Sequence, residues 1–183
     1  AYNVTVKHRV EVPIGAGFGT SAGGALGTAL ALNKALNINL TYNQIGRIAH
    51  VAEVKCRTGL GTVSGLVVGG CVIVTQPGAL NHGWVDRIPV LPNHHIVSGV
   101  FQPRLTREFL ESVEKREVIN EWGQRTLEKI MVEPSLSNFL RSSREFARET
   151  RLATERVEKL MDAAEGAGAV GAAQNMLGEA VHA

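Results

Sequence analysis

Seven consecutive residues, Gly15-Ala16-Gly17-Phe18-Gly19-Thr20-Ser21, alternate glycine with other small or apolar residues and end on two hydroxyls. Pro13 precedes them and Ala22-Gly23 follow. Glycines accept positive φ and let several backbone N–H groups crowd around one point. If a helix opens at Thr20, its unpaired N–H groups and the positive end of its dipole add to the same place. Such a turn is a cradle for phosphate, and a hydroxyl at its edge reaches a phosphate oxygen or a Mg²⁺ ion. The plainer alternative is a tight turn before a packed helix, with Thr20 or Ser21 as the N-cap. Two common phosphate loops do not fit. No Gly-Lys pair exists for a Walker A loop. The dinucleotide fingerprint would need its third glycine one residue beyond Gly19, and no acid lies in Ile38 to Tyr42 for a ribose.

A second group of residues could do chemistry with the first. Glu53 stands between Ala52 and Val54 in a stretch with few other acids. Mg²⁺ usually takes one or two carboxylates together with phosphate oxygens and water, so one glutamate suffices. The bland reading of Glu53 is a solvated residue near a helix end. Arg57 could pair a substrate carboxylate through two parallel N–H bonds, or be an ordinary surface arginine. The loop Thr58-Gly59-Leu60-Gly61-Thr62-Val63-Ser64 holds no acid. Cys56 and Cys71 have no metal-type spacing, and the six histidines form no HExxH pattern. His50, beside apolar neighbours, reads as a packed histidine, and Trp84 and Trp122 as packed aromatics.

The elements that would hold these residues follow from periodicity. Val4, Val6, Val10 and Val12 alternate with polar residues and predict a half-buried strand carrying His8 on its apolar side. A small-residue helix follows from Thr20 to Leu36. Thr41 and Gln44 form a capping box for a second helix to about Val54, with Ile45, Ile48, Ala49 and Ala52 as its apolar stripe. Leu66 to Thr75 predicts a buried strand interrupted by Gly69 and Gly70. Weaker strands are expected at Val85 to Val90 and His95 to Phe101. Beyond Thr106 the pattern turns helical, starting at Phe109, Leu110 and Val113. Pro134 breaks it, Ser135 caps the next segment, and charge pairs such as Arg141 with Glu145 and Glu155 with Lys159 line a solvated face. Ala172 to Ala183 predicts a further helix.

Composition narrows the classes. The chain has 183 residues, 44% of them hydrophobic, enough for a core without disulfides. Lys+Arg 19 against Asp+Glu 17 gives +2, too small for a nucleic-acid binder. The longest apolar-plus-glycine run, Gly65 to Val74, is ten residues, whereas a membrane helix needs ~20. No charged-then-apolar leader opens the sequence, and a reducing cytoplasm is the expected location.

The segment from Pro13 to Ala22 fits P-x-x-x-G-x-G-[ST]-S-A and so resembles the phosphate loop of the GHMP kinases. Within that superfamily, Gly15 to Asn33, Ile48 to Val54, Thr58 to Val63 and Asn175 to Gly178 resemble the archaeal pantoate kinase branch. The resemblance implies an α+β fold of two lobes, with the phosphate loop between a strand and a helix and a helical C-terminal half. It implies ATP and Mg²⁺ as cofactors and phosphorylation of the 4-hydroxyl of (R)-pantoate in archaeal coenzyme A synthesis. Pro13, Gly15, Ala16, Gly17, Phe18, Gly19, Thr20, Ser21 and Ala22 would bind the nucleotide. Ser21 and Glu53 would ligate Mg²⁺. Arg57, Gly59, Gly61 and Thr62 would face the substrate. Mevalonate-type members carry an aspartate in the loop after the glutamate. Its absence leaves three options: no dedicated base, Thr62 placing the nucleophilic hydroxyl, or Asp86 folding in. By the resemblance, family members begin with further strands and end with a longer C-terminal region, so the chain reads as an internal fragment or a truncated gene product. Residues 1–91 would be the remainder of the ATP-binding domain and 92–183 part of the C-terminal domain. Gly166, Gly168 and Gly171 are left open as a late nucleotide loop, and a homodimer is left open as an assembly. The rival readings are a homoserine- or mevalonate-type kinase and a non-catalytic nucleotide-binding fragment.

Overall fold

The computed structural model of the chain describes residues 2–59, 61–104 and 113–183. The described residues divide into two compact units. One comprises Ala1–Ile14 with Gly19–Asp86, the other Gly15–Phe18 with Arg87–Ala183. No helix among the described residues is long and apolar enough to cross a membrane.

In the first unit, α1 (Thr20–Ala35), α2 (Tyr42–Cys56) and α3 (Thr62–Val68) pack on one another. Their shared core is Ala22, Leu26, Ile45, Ala49 and Val63. The predicted capping box is present in both directions. The Gln44 amide donates to Thr41 Oγ1 at 3.3 Å, and the Thr41 amide to Gln44 Oε1 at 2.8 Å. Helix α3 replaces the first half of the strand expected from Leu66. A continuous apolar run does not distinguish helix from strand by periodicity. Here the helix runs to Val68, and Gly69 and Gly70, at φ 70° and 84°, turn the chain into β1 (Cys71–Gln76). That strand pairs with β2 (Trp84–Ile88). Trp84, expected to pack, is 70% exposed.

Residues 2–12 form no strand, and Val4, Val6, Val10 and Val12 are exposed. The alternation is genuine, but a strand exists only through hydrogen bonds to a neighbour, and none of the described strands pairs with this segment. Its alternating face does meet α1. His8 Nε2 lies 3.2 Å from Thr28 Oγ1, and the ring sits over Gly24.

The second unit holds three helices, α4 (Val113–Val132), α5 (Leu136–Glu149) and α6 (Glu155–Gly166). The expected helix start at Phe109 and Leu110 lies outside the described residues. Ser135 caps α5 as predicted, accepting from the Asn138 amide at 3.2 Å. Charged residues do line these helices, but one expected pair is re-routed. Glu145 accepts from Lys129 at 2.7 Å, while Arg141 donates to Asn138 Oδ1 at 2.9 Å. Glu155 and Lys159 pair at 2.6 Å.

The unit's sheet runs β3–β5–β4, all antiparallel: β3 (Ser98–Gln102), β4 (Ala173–Gln174) and β5 (Glu179–His182). Ser98 faces His182 and Gly99 faces Val181, with an irregularity between Val100 and Gln102. The helix expected over 172–183 is therefore a short hairpin. Alanine favours a helix locally, but Ala172, Ala173, Ala180 and Val181 are buried, two of them against Val157 and Met161 of α6, and tertiary packing overrides the propensity.

His182 ends β5, half-buried, with Nδ1 on the Asn175 side-chain oxygen. Burial pulls its imidazole below the ordinary histidine value. A folded-state value under the unfolded one means the folded chain binds fewer protons. That stability is whole above about pH 6.5 and is lost as pH falls through the folded value. Thermal melts between about pH 7 and 5 should show this decline, and His182→Gln should flatten it. An unchanged slope in the variant would reject the assignment.

Candidate active site

Helix α1 opens without a capping side chain. Its N-cap is Gly19 at φ 68°, ψ 25°, a left-handed conformation that glycine adopts without strain. Among the described residues, no carbonyl accepts from the amides of Gly15 through Ala22. A helix start normally leaves such donors seeking a partner, and among the described residues this loop presents N–H groups without a backbone acceptor. Thr20, Ser21 and Ala22 form the first turn, with Ala22 anchored in the core.

Glu53 sits in the last turn of α2, only 4% exposed. Its Oε1 accepts from Ser21 Oγ and, at 2.6 Å, from Thr58 Oγ1. The geometry arises locally. Arg57 caps α2 in the left-handed conformation at φ 55°, and the Thr58 amide returns to the Glu53 carbonyl at 3.0 Å. This folds Thr58 and Gly59 back over the carboxylate. A Cβ on Gly59 would lie 2.3 Å from Glu53 Oε2, so no side chain fits there. Thr62 begins α3, and a Cβ on Gly19 would meet its Cγ2 at 2.9 Å. The first unit thus gathers Gly19, Ser21, Glu53, Gly59 and Thr62 at the meeting of three helix ends. Arg57 is exposed, with its backbone rather than its guanidinium doing the local work. Asp86 is an exposed residue of β2, and Gly61 is the N-cap of α3.

The electrostatics of this cluster favour a cation. A carboxylate in the last turn of a helix faces the negative end of the dipole. Burial adds a desolvation cost that two hydroxyl donors offset only in part. The oxygens on offer, a carboxylate and a hydroxyl, are hard ligands of the kind Mg²⁺ takes beside phosphate oxygens and water. The residues therefore fit the ion. No cluster of three His, Cys, Asp or Glu occurs among the described residues, so an all-protein metal cage is not what they build.

The stretch Gly15–Phe18 groups with the second unit. Gly15 and Gly17 have φ of 81° and 90°. A Cβ on Gly17 would stand 1.9 Å from the Asn175 carbonyl oxygen. A Cβ on Gly178 would stand 2.2 Å from the carbonyl carbon and oxygen of Ala16. The Arg104 amide donates to the Gly15 carbonyl at 3.0 Å. The turn after β4 is thus the late segment that meets the phosphate loop. Gly166 and Gly168 have open space where a side chain would stand, and Gly171 packs on Leu140. Sequence reasoning did not single out Thr58 or Gly178. Thr58 had a signal, as a hydroxyl five residues after the candidate acid. Gly178 had one too, as the end of the Asn175–Gly178 segment that carries the resemblance, but the helix expected there concealed the turn. Pro13 is an exposed residue of the approach, and Phe18 is half-buried.

Residues 2–74 match the GHMP kinases N terminal domain. The chain is 38% identical to the pantoate kinase of Methanocaldococcus jannaschii over 92% of its own length and 60% of that protein's. It is 36% identical to the pantoate kinase of Thermococcus kodakarensis over 81% of itself and 48% of the relative. A mevalonate kinase of Thermococcus gammatolerans is 27% identical, covering 98% of the chain and 52% of that enzyme. Among solved structures, a phosphotransferase related to the CoA biosynthesis pathway superposes with a TM-score of 0.82 at 31% identity. That match covers 94% of this chain and 56% of the other. A homoserine kinase from Cytophaga hutchinsonii shares the fold at a TM-score of 0.64 and 16% identity, over 94% and 57%. The chain spans about half to 60% of the length of the relatives it matches. The similarity to the GHMP kinases N terminal domain thus lies in residues 2–74, and the similarity to pantoate kinases runs over most of this chain and about half to 60% of theirs.

Proposed function

We propose that the protein carrying this chain transfers the γ-phosphoryl group of ATP to the 4-hydroxyl of (R)-pantoate. The observation that supports the reading is the contact of the exposed Ser21 hydroxyl with the buried Glu53 carboxylate at the first turn of α1, a helix whose N-cap Gly19 supplies no capping side chain. Phosphoryl transfer asks mainly for in-line placement and compensation of charge. The amides from Gly15 to Ala22, with Pro13 setting the approach, hold the nucleotide phosphates. Ser21 Oγ and the Glu53 carboxylate hold Mg²⁺, and Thr58 keeps that carboxylate oriented. When bound, the ion neutralises the charge that builds on the bridging phosphate oxygens.

The loop after Glu53 carries no acid. With a loose transition state the attacking hydroxyl keeps its proton until late, so no dedicated base is assigned. Thr62, against Gly19 at the start of α3, orients the substrate hydroxyl, with open space beside Gly61, while Gly59 lies against the Glu53 carboxylate on the substrate side. Arg57 pairs the pantoate carboxylate. A reaction of this kind on a coenzyme A precursor supports a cytoplasmic location.

Mevalonate- and homoserine-type substrates are the alternatives, the first with weaker relatives among the mevalonate kinases. A coupled assay of ADP release decides among them. Pantoate should be turned over with mevalonate and homoserine left largely untouched. Turnover of either of those two without pantoate would overturn the substrate assignment.

A further inference from the structure

The stretch Gly15-Ala16-Gly17 has one methyl group among its three side-chain positions, so it cannot set its own backbone direction. That direction has to come from what packs on it. One support is the Arg104 amide on the Gly15 carbonyl, 3.0 Å away, with the Arg104 guanidinium on the Leu152 carbonyl at 2.9 Å. The other is the turn Asn175–Gly178, whose backbone touches Ala16 and Gly17 so closely that neither Gly17 nor Gly178 has room for a Cβ.

What holds that turn is unusual in one respect. Glu179, the residue after Gly178, is 4% exposed at its side chain and pairs with Arg156 of α6, which is 45% exposed. The Arg156 guanidinium lies over the Phe101 ring of β3 at 5.2 Å, and Gln174 Nε2 donates to the Gly178 carbonyl at 2.9 Å. Glu179 therefore links the turn to a helix and to the neighbouring strand at once. With Glu179 buried, removing its partner leaves an uncompensated charge, so the carboxylate holds the turn to Arg156.

We propose that Glu179 is a positioning residue for the phosphate loop: through the contact of its buried carboxylate with the half-exposed Arg156 it fixes the turn 175–178 against Ala16 and Gly17, so that the loop amides point where a nucleotide phosphate binds. This rests on the nucleotide reading given above. Glu179 touches no reacting atom, so its loss acts on ATP affinity before it acts on the chemical step.

The test compares wild type, Glu179→Gln, Glu179→Asp and Arg156→Gln. ATP affinity is read by calorimetry, KM for ATP and kcat by steady-state kinetics, and folding by thermal melts. Glu179→Gln should raise KM and Kd for ATP about tenfold or more, the scale of a misplaced binding contact, with kcat and KM for pantoate within a few-fold of wild type. Glu179→Asp should recover part of the affinity. If Glu179→Gln does not fold, Arg156→Gln opens the same pair from its solvent side and should show the same rise. Wild-type ATP affinity in a folded Glu179→Gln or Arg156→Gln protein, with only a lowered melting temperature, would overturn the proposal. A wild-type protein that binds no ATP would sink the nucleotide reading itself and this inference with it.

Discussion

Glu53→Gln is expected to lower kcat by about 10²-fold or more, with little loss of folding stability. Glutamine keeps the size of glutamate and one oxygen that accepts from Ser21 and Thr58, the two hydroxyls now on Oε1. What it removes is the charge. In the absence of Mg²⁺ that charge is a liability, buried at the negative end of α2. The glutamine protein should therefore melt at the same temperature as the wild type, or slightly higher, in a metal chelator. In Mg²⁺-ATP the order should reverse, because the wild type alone gains the ion. Ser21→Ala should show a loss of similar size, and the double variant should be scarcely worse than either single one, since the two groups act as a unit. Steady-state kinetics over a Mg²⁺ titration check all three. Wild-type rates in both single variants would remove the metal role from Ser21 and Glu53.

Gly17→Ala should be the most damaging small substitution in the second unit. Two independent costs coincide there. At φ 90° an alanine is strained by about 1–3 kcal/mol. Its methyl would also fall 1.9 Å from the Asn175 carbonyl oxygen, so either the loop or the turn must move. The expected result is a stability loss of at least ~2 kcal/mol in denaturant melts together with loss of measurable ATP binding. Gly23→Ala supplies the contrast. It lies in α1 with nothing within 4 Å of the new methyl, and helix propensity alone favours alanine by up to ~1 kcal/mol. A Gly17→Ala protein as stable as wild type, binding ATP normally, would mean that the loop is far more pliable than its contacts with Asn175 imply.

Some of this architecture is legible in the amino-acid sequence because the cause is local. A capping box needs only Thr41 and Gln44 three residues apart, and both of its hydrogen bonds form. Ser135 caps α5 for the same reason. Glu155 and Lys159 meet because they are one helical turn apart. The same locality fails where a choice depends on distant partners. Arg141 and Glu145 have the spacing to pair, yet Lys129 of α4 takes the glutamate. The valine alternation of residues 4–12 describes what a strand would bury, but the neighbour that would complete the ladder is not in the pattern. Trp84 is large and apolar, which favours burial, and still it lies on the surface of β2.

The sequence alone determined the phosphate-loop candidate, since glycine spacing followed by hydroxyls restricts backbone conformation directly. It also placed Ser21 on the first turn of one helix and Glu53 on the last turn of another, because caps and stripes set those boundaries. Only the tertiary structure decided that these two side chains touch across 32 positions of chain, that Thr58 and Gly59 close over the carboxylate, and that 172–183 is a hairpin. The reason is physical. Propensity and periodicity act over one or two turns, whereas contact between distant segments is set by which surfaces bury each other, and that is settled only when the whole core packs.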